Sequence, residues 1–214
     1  MVLRFEQTHR QPRPAYAITR PRTGETLGGA EASDPTRPTL TVGGTSYELD
    51  VPGRTARDPE KKKQALSPVF SNGTECGSIE ICFVQTKKIL FLSVGYDYRR
   101  VILDGTVLTA YEVGLGHQQH YWCIYREDRE LVAMLQKDDG AINNCNTYTL
   151  YLEENALAAA VCLLALFVDC TQYPDMGEVN GYSAEAEAEF TTQKVLLAKY
   201  DADFIPRVIA RDGN

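Results

Sequence analysis

His117, His120 and Cys123 are the densest set of metal-capable side chains in this 214-residue sequence. Imidazole and thiolate both serve as zinc ligands, and His at i and i+3 with Cys at i+6 on one loop could meet a single ion. Cys123, however, lies between Trp122 and Ile124 in an apparent strand, where alternation turns its thiol away from both neighbours. A hairpin loop with a packed thiol therefore competes with the metal reading. His120 and Cys123 could also act as base and nucleophile, but no G-x-S-x-G elbow or other marker of an activated nucleophile accompanies them. The acid pairs Asp138-Asp139 and Glu153-Glu154 have the chemistry of general acids and bases. Their positions in a turn and at a helix entrance make solvation and capping the simpler account. Gly28-Gly29 and Gly43-Gly44 are not followed by the Lys-Ser/Thr of a phosphate loop and read as turns. No motif calls for a cofactor.

A net charge of −7 argues against a nucleic-acid partner, whose binders usually carry a basic face. The opening residues have charges at Arg4 and Glu6 and no apolar h-region, so no secretory leader is expected. The expected compartment is reducing and cytoplasmic. Six cysteines without a CxxC pair then read as free thiols, several of them inside apolar runs.

The elements that must position these groups are mostly strands. Prolines and glycines punctuate residues 1–70 and exclude long helices there. Short extended segments remain at 2–7, 15–20, 39–42 and 46–51, the last two joined by a Gly43-Gly44 hairpin turn. The stretch from Arg54 to Pro68 reads as an exposed loop or short helix. From Ser78 the text turns to β-branched and aromatic runs at 78–85, 89–98, 99–103, 107–113, 120–126, 131–136 and 148–152. Thr86-Lys87-Lys88 and Asp104-Gly105 read as tight turns between them. Strands at this spacing predict a barrel or sandwich of meanders.

The exception is the Ala- and Leu-rich run from Ala156 to Val168, preceded by Glu153, Glu154 and Asn155. Acidic residues and a cap suit a helix start there. A helix apolar on every side must be buried on every side. The run is too short for the roughly 30 Å hydrocarbon core of a bilayer, so no transmembrane span is expected. Enclosure by a sheet is the remaining way to bury it.

In chain order, the Arg100–Leu108 hairpin, Tyr121-Trp122-Cys123-Ile124-Tyr125, a polar turn, Leu131–Gln136, Thr147–Leu152, an acidic spacer and an apolar helix closing in Val168-Asp169 resemble the tubby-like superfamily. That superfamily includes tubby C-terminal domains, LURP-one-related proteins and phospholipid scramblases. The resemblance covers about residues 78–170 and is carried mainly by structural positions. It implies a mainly β protein, a closed antiparallel barrel of about twelve strands around a central apolar α-helix. The barrel would span residues 1–170, with the helix at 155–169 and Asp169 hydrogen-bonded near the barrel mouth.

Residues 171–214 depart from the family pattern. They read as a partly helical C-terminal extension, packed on the surface or flexible, with an amphipathic helix at 192–200 and a short extended piece around Pro206. Because some tubby-like domains bind phosphoinositide headgroups, Lys87, Lys88, Arg99 and Arg100 become candidates for anion or lipid binding, although they do not align with the family's headgroup ligands. Within each pair, adjacent strand residues face opposite ways, so only one of each can share a surface. The function implied is a non-catalytic binding or scaffold module for an anionic lipid surface or a protein partner, peripheral to a membrane in the first case. A hydrolase with an unrecognised site and a scramblase-like membrane protein are the alternatives.

Overall fold

The computed structural model describes residues 1–9, 13–34, 36–51, 66–89, 92–117, 119–138, 145–173 and 189–213, with backbone alone at 87–89, 92–94 and 189. Twelve strands form the wall: β1 (Val2–His9), β2 (Ala15–Thr19), β3 (Thr26–Glu31), β4 (Thr39–Val42), β5 (Thr45–Leu49), β6 (Leu66–Ser71), β7 (Thr74–Ile89), β8 (Leu92–Leu103), β9 (Thr106–Gly116), β10 (His120–Arg126), β11 (Glu130–Lys137) and β12 (Thr147–Leu152). Each pairs antiparallel with the next in sequence, and β12 returns to pair with β1, Leu3 opposite Leu150 and Phe5 opposite Tyr148. The wall is thus a twelve-stranded meander closed by its first and last strands, a solution that leaves no long free edge around the ring.

Period-two alternation sets which face looks inward. Leu3 and Phe5, Tyr16 and Ile18, Leu40 and Val42, Tyr47 and Leu49, and Trp122 and Ile124 all point into one continuous apolar core. The turns use the residues their geometry needs. Asp104-Gly105, Asn72-Gly73 and Gly43-Gly44 all have positive φ at both positions, the mirror-image turn whose twist matches a hairpin.

Inside the ring lies α1 (Ala158–Gln172), entered through a 3-10 turn at Asn155–Leu157. Every residue from Ala160 to Asp169 is buried, and Leu163, Ala165, Leu166 and Val168 have no exposed surface at all. The expected central helix is therefore present, but it runs on past Asp169 to Gln172, and its start has no side-chain cap from Asn155. Counted with its 3-10 entry, Asn155–Gln172 is long and apolar enough to cross a membrane by length and composition, which the shorter apolar run does not reveal.

Three local expectations are corrected. Gly28-Gly29 is not a turn but the middle of β3. A Cβ at Gly28 would come within 1.9 Å of the Thr41 carbonyl oxygen, so the close approach of β4 requires glycine in a strand. Residues 89–98 and 99–103 do not form two strands. β8, Leu92–Leu103, runs unbroken across the expected break at 98/99, Ile89 ends β7, and the Thr86-Lys87-Lys88 turn is instead part of β7. Leu66–Ser71, which overlaps the expected loop, is β6, in which Pro68 pairs with Ser78 and offers its carbonyl to the Asp50 amide.

The C-terminal segment packs outside the wall. β13 (Glu189–Phe190) adds to β9, the one-turn α2 (Lys194–Leu197) replaces the longer helix expected at 192–200, and α3 (Phe204–Asp212) replaces an extended piece. Pro206 falls in the first turn of α3, where a missing N–H costs nothing. Phe204 and Val208, one turn apart, bury themselves against Val113, Tyr121, Cys123 and Met134 on the outer face of the barrel.

Candidate functional site: a charged plug at one end of the barrel interior

The interior is apolar along most of the helix and abruptly polar at the helix C-terminal end. Alternation carries Arg99 of β8, Glu112 of β9, His120 of β10 and Lys137 of β11 inward, in phase with the core residues Val101, Ala110 and Trp122. Arg99, His120 and Lys137 are all buried. Burying ions is costly unless they are paired and hydrogen-bonded.

Glu112 is the hub of the first half of the plug. Its Oε2 accepts from Arg99 Nη1 at 3.0 Å and from Gln172 Nε2 at 3.2 Å, and its Oε1 lies 2.9 Å from His120 Nε2. Desolvation alone would raise its pKa. The His120 hydrogen bond and the charge of Arg99, with smaller help from Gln172, outweigh that and hold the carboxyl at about 2. The His120 ring stacks on Trp122 at 4.3 Å between centroids, and its Nδ1 lies 3.5 Å from the Tyr173 hydroxyl. Lys137 sets its ammonium 4.6 Å above the Tyr173 ring.

Asp169 is the hub of the second half. It is buried on α1 and accepts from Tyr16 at 2.6 Å, Tyr148 at 2.7 Å and Asn146 Nδ2 at 2.7 Å. A negative side chain near a helix C-terminus opposes the macrodipole. Three donors from β2, β12 and the segment before β12 offset that, and the cations of the first half stand at the same helix end. Burial and the neighbouring Asp169 charge push both tyrosine hydroxyls well above their ordinary range.

The residues singled out from the sequence are dispersed by this arrangement. His120 points inward and its neighbour-but-two Cys123 points outward, into the cluster beneath α3, where burial pushes its thiol up to about 12. His117 is exposed in the turn after β9. Among the described residues no cluster of three metal-capable side chains occurs. Arg99 is inside and bound to Glu112, whereas Arg100 is outside and donates to Glu80 Oε2 through Nε at 2.8 Å. Lys87 and Lys88 sit on β7, and their side chains lie outside the described residues.

The plug could do acid–base chemistry in principle, since Glu112 orients an imidazole. Its carboxylates are already engaged, and desolvation pushes the thiols of buried Cys162 and half-buried Cys170 up to about 12. Sequence reasoning passed over Glu112, Lys137, Tyr16, Asn146, Tyr148 and Gln172. A usable signal existed for one of them: Glu112 follows Leu108 and Ala110 at the inward phase of its strand, where an acid is anomalous.

Two features shape the outer wall. Ala15, Gly29, Glu31, Thr39 and Thr41 line an open groove of about 440 Å³ over β2, β3 and β4. On β9 and β10, Tyr111 and Tyr125 frame the ammonium of Lys199. Compared with known proteins, the chain matches no family model, no curated protein and no solved structure.

Proposed function

We propose that this chain is a non-catalytic binding or scaffold module of the tubby-like type, which engages a protein partner through the outer wall of its barrel. The observation that carries this reading is the filling of the interior: α1 occupies the lumen, and the carboxylates at its C-terminal end are bonded to neighbouring side chains, so a ligand has the outer wall to use. The high thiol pKa values and the engaged state of His120 support a binding role over hydrolysis. A protein partner is favoured over an anionic lipid because Arg99 and Arg100 are each matched by a glutamate and the net charge is −7. Six cysteines outside any disulfide support a reducing, cytoplasmic setting.

Sedimentation with phosphatidylcholine vesicles, with and without phosphatidylinositol bisphosphate, tests the choice of partner. The expected result is no anionic-lipid dependence. Enrichment on the phosphoinositide vesicles that falls when Lys87 and Lys88 are changed to Ala would replace the protein reading with the lipid one. Turnover of a generic acyl ester that is lost in His120→Gln would restore the hydrolase.

A further inference from the structure

The outer wall carries a group of side chains with the composition and geometry of a cation receptor. Tyr111 on β9 and Tyr125 on β10 stand nearly at right angles, 76° between rings with centroids 6.0 Å apart. The ammonium of Lys199 sits in their corner, 4.2 Å from one centroid and 4.7 Å from the other. Asp128, in the turn after β10, supplies the counter-charge: its Oδ1 accepts from Lys199 Nζ at 2.7 Å and from the Tyr111 hydroxyl at 2.7 Å. Tyr98, opposite Tyr111 on β8, packs against it with 5.7 Å between ring centroids. Two aromatic faces plus a carboxylate are the chemistry by which proteins hold alkylammonium groups.

We propose that Tyr111, Tyr125 and Asp128 form an alkylammonium-binding site and that Lys199 of the C-terminal segment is its internal ligand. Three features separate this from an ordinary surface ion pair. The walls are held by the barrel rather than by the tail: Tyr111 is buried on a twelve-stranded ring and hydrogen-bonded to Asp128 within that ring. The Asp128 side chain is 55% exposed, so the counter-charge is reached from the turn side, while the Lys199 side chain, 19% exposed, fills the corner. The tail has seats other than the Lys199 side chain: Phe204 and Val208 are buried against Val113, Tyr121, Cys123 and Met134, and Tyr125 donates to the Lys199 main-chain carbonyl at 2.7 Å, a bond any residue there can accept. Truncating the one lysine side chain therefore removes the internal ligand while leaving these seats of the tail unchanged in kind. The ligand class is a primary or methylated alkylammonium, and the two sources of that chemistry are a lysine side chain and a choline-type headgroup. The site stands whether or not the partner of the barrel is a protein.

The test uses the full chain. In Lys199→Ala, butyltrimethylammonium and butylammonium are titrated and the tyrosine ring resonances followed, with 3,3-dimethylbutanol as the neutral isostere. Saturable binding about tenfold tighter in Lys199→Ala than in the parent chain, and about tenfold tighter for the cations than for the alcohol, is the expected result. It should be lost again in Lys199→Ala combined with Asp128→Asn. The Tyr125→Leu combination, which spares the buried Tyr111, is a second check. Preference for the trimethylated probe points to choline or methyl-lysine, and preference for the primary amine to unmodified lysine. Equal binding of cation and alcohol, or no gain on removing Lys199, would overturn the site.

Discussion

The carboxylate of Asp169 accepts the hydroxyl of Tyr148 at 2.7 Å and so ties the central helix to β12, the strand that closes the barrel against β1. Tyr16 from β2 and Asn146 complete the shell of donors. A helix apolar on all sides could rotate or slide within an apolar lumen at little cost. One charged residue with three fixed donors leaves a single rotation and depth, because any other strands a buried carboxylate.

Removing this anchor should destabilise the fold by more than any of its partners does. Asp169→Ala leaves three buried donors unmet and is expected to cost about 3–5 kcal/mol, whereas Tyr148→Phe should cost about 1–2 kcal/mol. Urea denaturation measures both. A loss under about 1 kcal/mol for Asp169→Ala would mean that apolar packing alone positions the helix.

Acid should weaken the chain through Glu112. Its carboxyl is held at about 2, below the unfolded value of 4.5, so the unfolded state binds its proton first as pH falls. The stability it contributes is fully present above pH 4.5 and is lost between 4.5 and about 2. The size is on the order of 3 kcal/mol. Denaturation midpoints of the parent chain and Glu112→Gln, recorded from pH 6 to pH 2, should converge toward the acid end; parallel curves would reject the linkage.

Thiol labelling should divide the cysteines by burial. Cys123 and Cys162 are fully enclosed and raised to about 12, and are expected to react with a disulfide reagent at neutral pH only after unfolding. Cys76 and Cys82 are half-buried and should label in the folded chain, Cys76 the more slowly because burial raises its thiol and it donates to the Val69 carbonyl. Mass spectrometry of a brief pulse assigns the sites. Rapid modification of Cys123 would require α3 to leave the barrel readily.

Zinc should neither bind tightly nor stabilise. His120 faces the lumen and Cys123 the outer face, so no motion short of unfolding β10 brings them to one ion. Equimolar zinc is expected to leave Tm unchanged. A rise of several degrees, abolished by His120→Gln and by Cys123→Ser, would contradict the extended conformation of β10 between residues 120 and 123.

Local signals were sufficient for much of this architecture. Alternation at Leu3 and Phe5 or Trp122 and Ile124, mirror-image turns at Asp104-Gly105 and Gly43-Gly44, and a helix with no polar face are properties of neighbours in the chain, and they dictate strands, hairpins and an enclosed helix. β3 was hidden for the opposite reason. Gly28 is required by the approach of Thr41 from another strand, and the sequence of β3 alone cannot distinguish that need from a turn.

The charged plug belongs wholly to the tertiary level. Alternation states that Arg99 and Arg100 face opposite ways, but only ring closure decides that Arg99 is the inner one and meets Glu112, His120 and Gln172. In the same way, nothing near Lys199 announces an aromatic corner, since its walls come from β9 and β10 and reach it only when α3 docks. Periodicity is written along the chain and survives without partners. Pairing across strands depends on register and closure, which are set by the whole ring of strands packed about one helix.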